Sequence, residues 1–254
     1  MCAREGIPLQ AVGGVAARAW GAPRDLVDLD FYVPDAALPL LARHAAGVAR
    51  GPDRVRSDLW DVSVLTLEMH GCRVELGGAE TARYRDCRRQ TWSAADIDFD
   101  RSETRTVFGQ AIPVMPKEAL IAYKTALGRD VDLVDVYGLL GDSAVGTRLA
   151  AYGTLRPGEP NQHILRSLRG EWARGTVTGH LESEGWGMTC GFPALVWHPD
   201  APPVSVELFT APRLPQRWDR LDAFEGGAYR RIVVPVHRGG DRVLANIYVL
   251  RWPQ

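Results

Sequence analysis

Residues 214–231 read LPQRWDRLDAFEGGAYRR, and this stretch organises the C-terminal half of the chain. Four apolar residues recur at intervals that place them on one face of a helix: Leu214, Trp218, Leu221 and Phe224. The pair Gly226-Gly227 is a usual helix stop. The pattern therefore predicts a helix that buries one face and ends at Glu225.

Glu225 breaks a local rule at that helix end. The C-terminal end of a helix carries partial negative charge and favours Lys or Arg, so a carboxylate there has its pKa pushed upward. A raised pKa suits a general base that works near neutral pH, and residues that break a local rule are often functional. Glu225 is therefore a candidate general base, and the alternative is a solvated glutamate at a helix end.

A short strand and a loop precede this helix. Residues 148–152 read as a buried strand that runs into the breaker-rich loop 153–158. A glycine directly after a strand lets the backbone approach a ligand closely, and successive loop N–H groups can bind an anion. Other predicted elements are a short helix at 161–168 and strands at 175–181, 194–197, 204–209, 229–237 and 242–252.

Two of these segments resemble the gamma-glutamylcyclotransferase-like family. Residues 152–158 (YGTLRPG) and 221–231 (LDAFEGGAYRR) occur in the family's order and at about its separation, and the resemblance covers 149–252. It implies a small β-barrel with flanking helices. It also implies a reaction in which the α-amine of a γ-glutamyl substrate attacks its own γ-carbonyl, which gives 5-oxoproline and releases an amine.

The resemblance also implies the roles of individual residues. Glu225 would be the general base of this reaction. The residues that bind the small-molecule γ-glutamyl substrate would be Tyr152, Gly153, Thr154, Leu155 and Tyr229. The loop residues would offer backbone N–H groups to the glutamyl carboxylate or the oxyanion, while the tyrosines would close the pocket and donate hydrogen bonds. The reaction needs no metal and no organic cofactor.

The first half of the chain reads differently. Residues 141–147 (GDSAVGT) are small and polar, which is typical of a connection. We therefore predict two domains, at residues 1–143 and 147–254, in an α+β chain.

Acidic residues stand out in the first domain. Residues 26–33 read as a strand on which Asp28 and Asp30 share one face. Like charges that close repel each other, and Mg²⁺ would relieve the repulsion. A predicted hairpin, with strands at 62–69 and 72–76, could supply Glu75 as a third carboxylate.

This half resembles the small, minimal-domain branch of the nucleotidyltransferase superfamily. Gly13-Gly14 opens a helix, and Asp28-Leu29-Asp30 follows at the family's spacing. The later runs at 115–124 and 132–136 also resemble that branch. The fold implied is a mixed sheet with helices. The implied metal ligands are Asp28, Asp30 and Glu75, with Mg²⁺ as the ion, and the implied nucleotide-binding residues are Gly13, Gly14 and Lys124.

Composition limits the possible partners. Lys plus Arg is 30 and Asp plus Glu is 31, so there is no strong nucleic-acid signal and no basis for attraction to a membrane surface. The start of the chain lacks the apolar run of a signal peptide. Four scattered cysteines, without a CxxC pair, fit a reducing cytoplasm. We expect a cytoplasmic protein without membrane spans.

Three functions remain open from the sequence. The first is γ-glutamyl cyclotransfer by the C-terminal half. The second is magnesium-dependent nucleotidyl transfer through Asp28 and Asp30, with a nucleotide as partner. The third is a ligand-binding scaffold without catalysis, because a fold alone does not establish activity.

Overall fold

A computed structural model describes residues 1–87, 89–141, 143–183 and 185–251 of the chain. The chain divides into two compact units, Met1–Gly141 and Asp142–Gln254. The predicted C-terminal limit at residue 254 lies outside the described residues. Helices and strands occur in both units, so the predicted α+β class with two domains is confirmed.

The N-terminal unit is built on a mixed sheet. Its strands are β1 (Gln10–Ala11), β2 (Asp28–Val33), β3 (Ala49–Arg56), β4 (Trp60–Met69), β5 (Cys72–Gly78), β6 (Arg83–Asp86), β7 (Thr91–Ala94), β8 (Glu103–Val107) and β9 (Gln110–Val114). They lie in the order β7-β6-β4-β5-β2-β1-β9-β8, with β3 paired to β4. The pairs β2–β5 and β1–β9 are parallel, which leaves a sheet of mixed direction.

Four helices accompany this sheet among the described residues: α1 (Gly13–Ala19), α2 (Leu38–His44), α3 (Lys117–Leu127) and α4 (Asp130–Leu140). Small residues of α1 enter the main core of the unit, where Ala16 and Ala17 are fully buried. The predicted hairpin is confirmed as β4 and β5, which turn at His70 and Gly71 with positive φ angles of 52° and 74°.

The C-terminal unit is a closed barrel. Its strands are β10 (Arg148–Ala151), β11 (Glu171–Glu182), β12 (Ala194–Trp197), β13 (Pro203–Thr210), β14 (Tyr229–Arg238) and β15 (Asp241–Leu250). The order β11-β13-β10-β15-β14 closes through the pair Thr176–His237, and β12 extends β11 outside the ring. The barrel predicted from the family resemblance is therefore confirmed.

Two apolar clusters hold this unit together. One consists of strand residues such as Val177, Val234 and Ile247, which alternate along their strands and fill the barrel. The other joins the barrel to α5 (His163–Arg166) and α6 (Trp218–Glu225). None of the helices in the described ranges combines the length and apolar character that a membrane span requires.

Candidate active site

Glu225 lies at the end of α6, where the sequence predicts the helix to stop. Gly226 has a positive φ of 72°, and its N–H donates to the carbonyl of Asp222 at 3.0 Å, which closes the last turn. Trp218 and Leu221 are buried and seat the helix on the barrel. The first part of the predicted helix is instead a 3-10 turn over Leu214–Arg217, which contains Pro215 in its first turn.

The Glu225 carboxyl is buried, and no described residue compensates its charge. The residue is 9% exposed, and no cation among the described side chains forms an ion pair with it. Burial raises the pKa of Glu225 from 4.5 to about 7. The sequence attributed the raised pKa to the helix end, whereas in the structure desolvation is its cause.

Glu225 shares one cavity with every residue predicted to bind the substrate. The cavity is about 430 Å³, including its open mouth. Its walls include all six residues that the sequence assigned to the reaction: Tyr152, Gly153, Thr154, Leu155, Glu225 and Tyr229. No Lys, Arg or His lines the cavity in the described part of the chain, so Glu225 is the one ionisable acid or base there apart from the tyrosines.

The loop after β10 presents backbone donors at this cavity. The N–H groups of Gly153, Thr154 and Leu155 have no acceptor among residues that the structure describes. A methyl group added at Gly153 would meet only the Cβ of Phe192, at 3.9 Å, which is ordinary contact. The loop therefore has three backbone N–H groups that can donate hydrogen bonds. These donors do not depend on the side chains of the loop.

The two predicted tyrosines are held by different contacts. The N–H of Leu195 donates to the Tyr152 hydroxyl at 3.1 Å, and the Tyr229 ring packs edge-on against Trp186, with ring centroids 6.4 Å apart. Burial raises the pKa of both phenols. Both hydroxyls therefore keep their protons and can donate them to a ligand.

Three aromatic residues of the cavity were not assigned by the sequence. Trp186 donates its indole N–H to the backbone carbonyl of Glu225 at 3.1 Å and packs edge-on against Phe224, with ring centroids 5.2 Å apart. Phe192 and Tyr248 also line the wall. Trp186 lies between two glycines in a 3-10 turn, where no periodic pattern marks a residue as buried or functional.

The predicted carboxylates of the N-terminal unit lie together on the sheet. Asp30 and Glu75 are direct neighbours in the parallel pair β2–β5, and Asp28 precedes them on the same face. Burial, followed by the negative charges of Asp28 and Glu75, raises the pKa of Asp30 to about 7. Glu75 also forms an ion pair with Arg73 at 2.8 Å.

A metal site is not formed by these side chains as they stand. In the described ranges, no three His, Cys, Asp or Glu side chains converge closely enough to hold a metal ion. Mg²⁺ binding by Asp28, Asp30 and Glu75 therefore stays a prediction, and we assign no catalytic step to a metal.

Lys124 is directed into the protein. Its side chain is 1% exposed and contacts Asp135 at 2.8 Å and Asp132 at 3.2 Å. Arg129 pairs with Asp132, and Arg24 binds Asp135 through two hydrogen bonds. The nucleotide-binding role of Lys124 stays a prediction, and the contacts of its ammonium group are structural.

Gly13 and Gly14 begin α1 beside the acidic strand. Gly13 has a positive φ of 56°, and a Cβ at this position would lie 2.0 Å from the Asp30 Oδ2 atom. At Gly14, a Cβ would meet the Arg24 guanidinium at 2.7 Å. The backbone of α1 thus approaches the Asp30 carboxylate closely only because residue 13 has no side chain.

This approach yields a testable expectation. Gly13→Ala should destabilise the N-terminal unit by about 1–3 kcal/mol, because alanine is strained at positive φ and its methyl group would collide with Asp30. Urea unfolding measures the change. Gly6→Ala is a matched control, since Gly6 has a similar φ of 63° and open space around it. Equal losses for the two variants would show that the Asp30 contact contributes nothing.

The C-terminal unit is thus a small β-barrel domain with a buried acid in an aromatic cavity. Residues 149–254 match the family model described as "Gamma-glutamyl cyclotransferase, AIG2-like", and this half of the chain is an AIG2-like domain of that family. No curated protein sequence matches the chain significantly.

Solved structures with similarity to parts of the chain include three from different organisms. A "putative nucleotidyltransferase" of Thermotoga maritima has 18% identity and a TM-score of 0.41, with 48% of this chain and 74% of that one covered. An AIG2-like protein of Mus musculus has 26% identity and a TM-score of 0.32, with 41% and 76% covered. YkqA of Bacillus subtilis has 21% identity and a TM-score of 0.33, with 42% and 36% covered.

Proposed function

We propose that the C-terminal domain is a γ-glutamylcyclotransferase that converts the γ-glutamyl group of an amide or peptide into 5-oxoproline. The observation that supports this most is the shared cavity. Among the residues that the structure describes, a buried carboxylate without an ion-pair partner lies in the same cavity as three backbone N–H groups without acceptors. The family to which this domain belongs acts on small γ-glutamyl compounds.

The proposed reaction needs one proton carrier. The α-amine nitrogen of the substrate attacks the γ-carbonyl carbon, and Glu225 takes the proton that this nitrogen loses. The bond between the γ-carbon and the leaving nitrogen then breaks, and Glu225 returns the proton to that nitrogen. A carboxyl with a pKa of about 7 suits both steps near neutral pH. Because both reacting groups belong to one molecule, holding the substrate curled supplies much of the rate enhancement.

The remaining walls would bind and orient the substrate. The N–H groups of Gly153, Thr154 and Leu155 would stabilise the glutamyl carboxylate or the oxyanion that forms on the γ-carbonyl. The protonated hydroxyls of Tyr152 and Tyr229 would add hydrogen bonds. The proposed chemistry uses only protein groups. A panel of γ-glutamyl amines and peptides, scored for release of 5-oxoproline, tests the proposal, and its failure for every substrate would refute it.

The pH dependence follows from the same carboxyl. The base is active when ionised, so kcat/KM, calculated on the concentration of substrate whose α-amine is neutral, should fall about tenfold per pH unit below pH 7 and reach a plateau above it. Rates measured between pH 5 and 8.5 in a constant-ionic-strength buffer give the profile. A profile that stays flat down to pH 5 would mean that the essential base keeps the ordinary pKa of a solvated glutamate.

A further inference from the structure

The helix that carries Glu225 is too short to hold itself in place. The α6 helix has eight residues, and an isolated helix of that length is unstable in water. The direction of the Glu225 carboxyl therefore depends on what fixes α6 to the barrel. Asp222 lies one turn before Glu225, and its carbonyl accepts the bond that closes the last turn.

The side chain of Asp222 is bound on both oxygens. The Arg231 guanidinium donates to Oδ1 at 2.8 Å and to Oδ2 at 3.0 Å, and the Tyr248 hydroxyl donates to Oδ1 at 2.6 Å. Hydrogen bonds from Arg231 hold the pKa of Asp222 below its ordinary value. Such a two-pronged contact fixes direction as well as distance, which a single ion pair would not do.

Arg231 extends the contact toward β10. Its guanidinium lies 4.4 Å from the ring centre of Trp218 and donates to the Asn246 side-chain oxygen at 3.1 Å. Asn246 in turn donates to the carbonyls of Val145 at 2.8 Å and Arg148 at 3.3 Å, where β10 begins. The strand β10 leads directly into the loop at 153–155. One polar network therefore connects α6, which carries Glu225, to β10, which leads into residues 153–155. We call residues 153–155 the donor loop.

We propose that Asp222 and Arg231 are positioning residues. They hold the Glu225 carboxyl in the cavity, at a fixed position relative to the backbone N–H groups of the donor loop. Neither residue lines the cavity, so each would act through Glu225 and not on the substrate. Burial alone raises the pKa of Glu225, and the Asp222 charge has no part in it. The effect is therefore one of geometry. Its catalytic consequence rests on the proposed function, whereas its structural part does not.

Two readouts on Asp222→Asn and Arg231→Lys test this role. The first is kcat for 5-oxoproline release at a temperature well below unfolding, where we expect a loss on the order of 10²-fold with little change in KM. The second is the titration of Glu225 followed by carboxyl ¹³C NMR, which needs no activity. In both variants the midpoint should move from about 7 toward 4.5, as the helix end loosens and water reaches the carboxyl.

Two further variants separate positioning from stability. Val236→Ala removes buried volume from the barrel core near the β14–β15 turn, so it should lower Tm while kcat and the Glu225 midpoint stay as in the wild type. Asp222→Glu keeps the charge and should recover part of kcat. If Asp222→Asn and Arg231→Lys behave like Val236→Ala in both readouts, the proposal is wrong. If wild-type protein releases no 5-oxoproline, the proposed function fails, and the titration alone decides the positioning role.

Discussion

Glu225→Gln is expected to lower kcat for 5-oxoproline release by about 10²- to 10⁴-fold, the usual contribution of a general acid–base group. Glutamine has nearly the same shape, so substrate binding and KM should change little. Steady-state kinetics on the best substrate of a γ-glutamyl panel measure the loss. Asp219→Asn is the matched control, because it removes one carboxylate from the same helix at an exposed position. A Glu225→Gln protein that keeps more than a tenth of wild-type kcat would exclude Glu225 as the base.

The same substitution should stabilise the fold above neutral pH. The pKa of Glu225 is raised in the folded state, so the folded protein binds the proton more tightly than the unfolded chain. Stability linked to this group is fully present below pH 4.5 and is lost as the pH rises to about 7. Glutamine does not ionise, so the Glu225→Gln variant does not lose this stability as the pH rises. The Tm of Glu225→Gln should therefore exceed that of the wild type at pH 8 and match it near pH 4.

Lys124→Met should be the most damaging single change in the N-terminal unit. The ammonium is shared by two carboxylates that are buried, Asp132 and Asp135, and removing one partner of such a cluster typically costs about 3–5 kcal/mol. Burial would raise the pKa of Asp132, but hydrogen bonds and charge from Arg129 and Lys124 outweigh it and hold the pKa below its ordinary value. Without Lys124, less positive charge remains to offset the burial of the two carboxylates.

Hydrogen exchange measures how much stability the N-terminal unit loses in the Lys124→Met variant. Amides of α3 and α4 report the opening free energy of the N-terminal unit without interference from the barrel. Lys117→Met is the control, since Lys117 belongs to the same helix and pairs with no carboxylate in the described ranges. We expect that control to change the opening free energy by less than about 0.5 kcal/mol. If both variants exchange alike, the buried cluster does not stabilise the unit.

Much of the barrel followed from short-range patterns. Strands bounded by Gly or Pro were predicted near their true limits, as β12 (Ala194–Trp197) and the hairpin β14–β15 show. The end of α6 was predicted correctly because Gly226 adopts a positive φ that other residues rarely accept. Its beginning was wrong because Pro215 lies inside the apolar pattern, and the local chain forms a 3-10 turn there.

The parts that could not be predicted depend on contacts distant in sequence. The burial that raises the pKa of Glu225 comes from residues on other elements, such as Trp186 and Tyr229. The pairing of Lys124 with Asp132 and Asp135 needs α3 and α4 to pack together, which no pattern within α3 indicates. In the same way, the partners of Asp222 lie on two later strands.

The two walls of the cavity differ in how freely evolution can alter them. In the proposed reaction, residues 153–155 would act through backbone N–H groups, which nineteen of the twenty amino acids possess, and even Gly153 has room for a methyl group. Substitutions at 153–155 could therefore change the side chains around a ligand while the backbone N–H groups stay in place. Proline is the exception, because it has no N–H. The proposed base, by contrast, is a single carboxylate, and none of the other cavity-lining residues that the structure describes carries one. New specificity would arise most easily on the loop side, while the chemistry stays anchored at the helix.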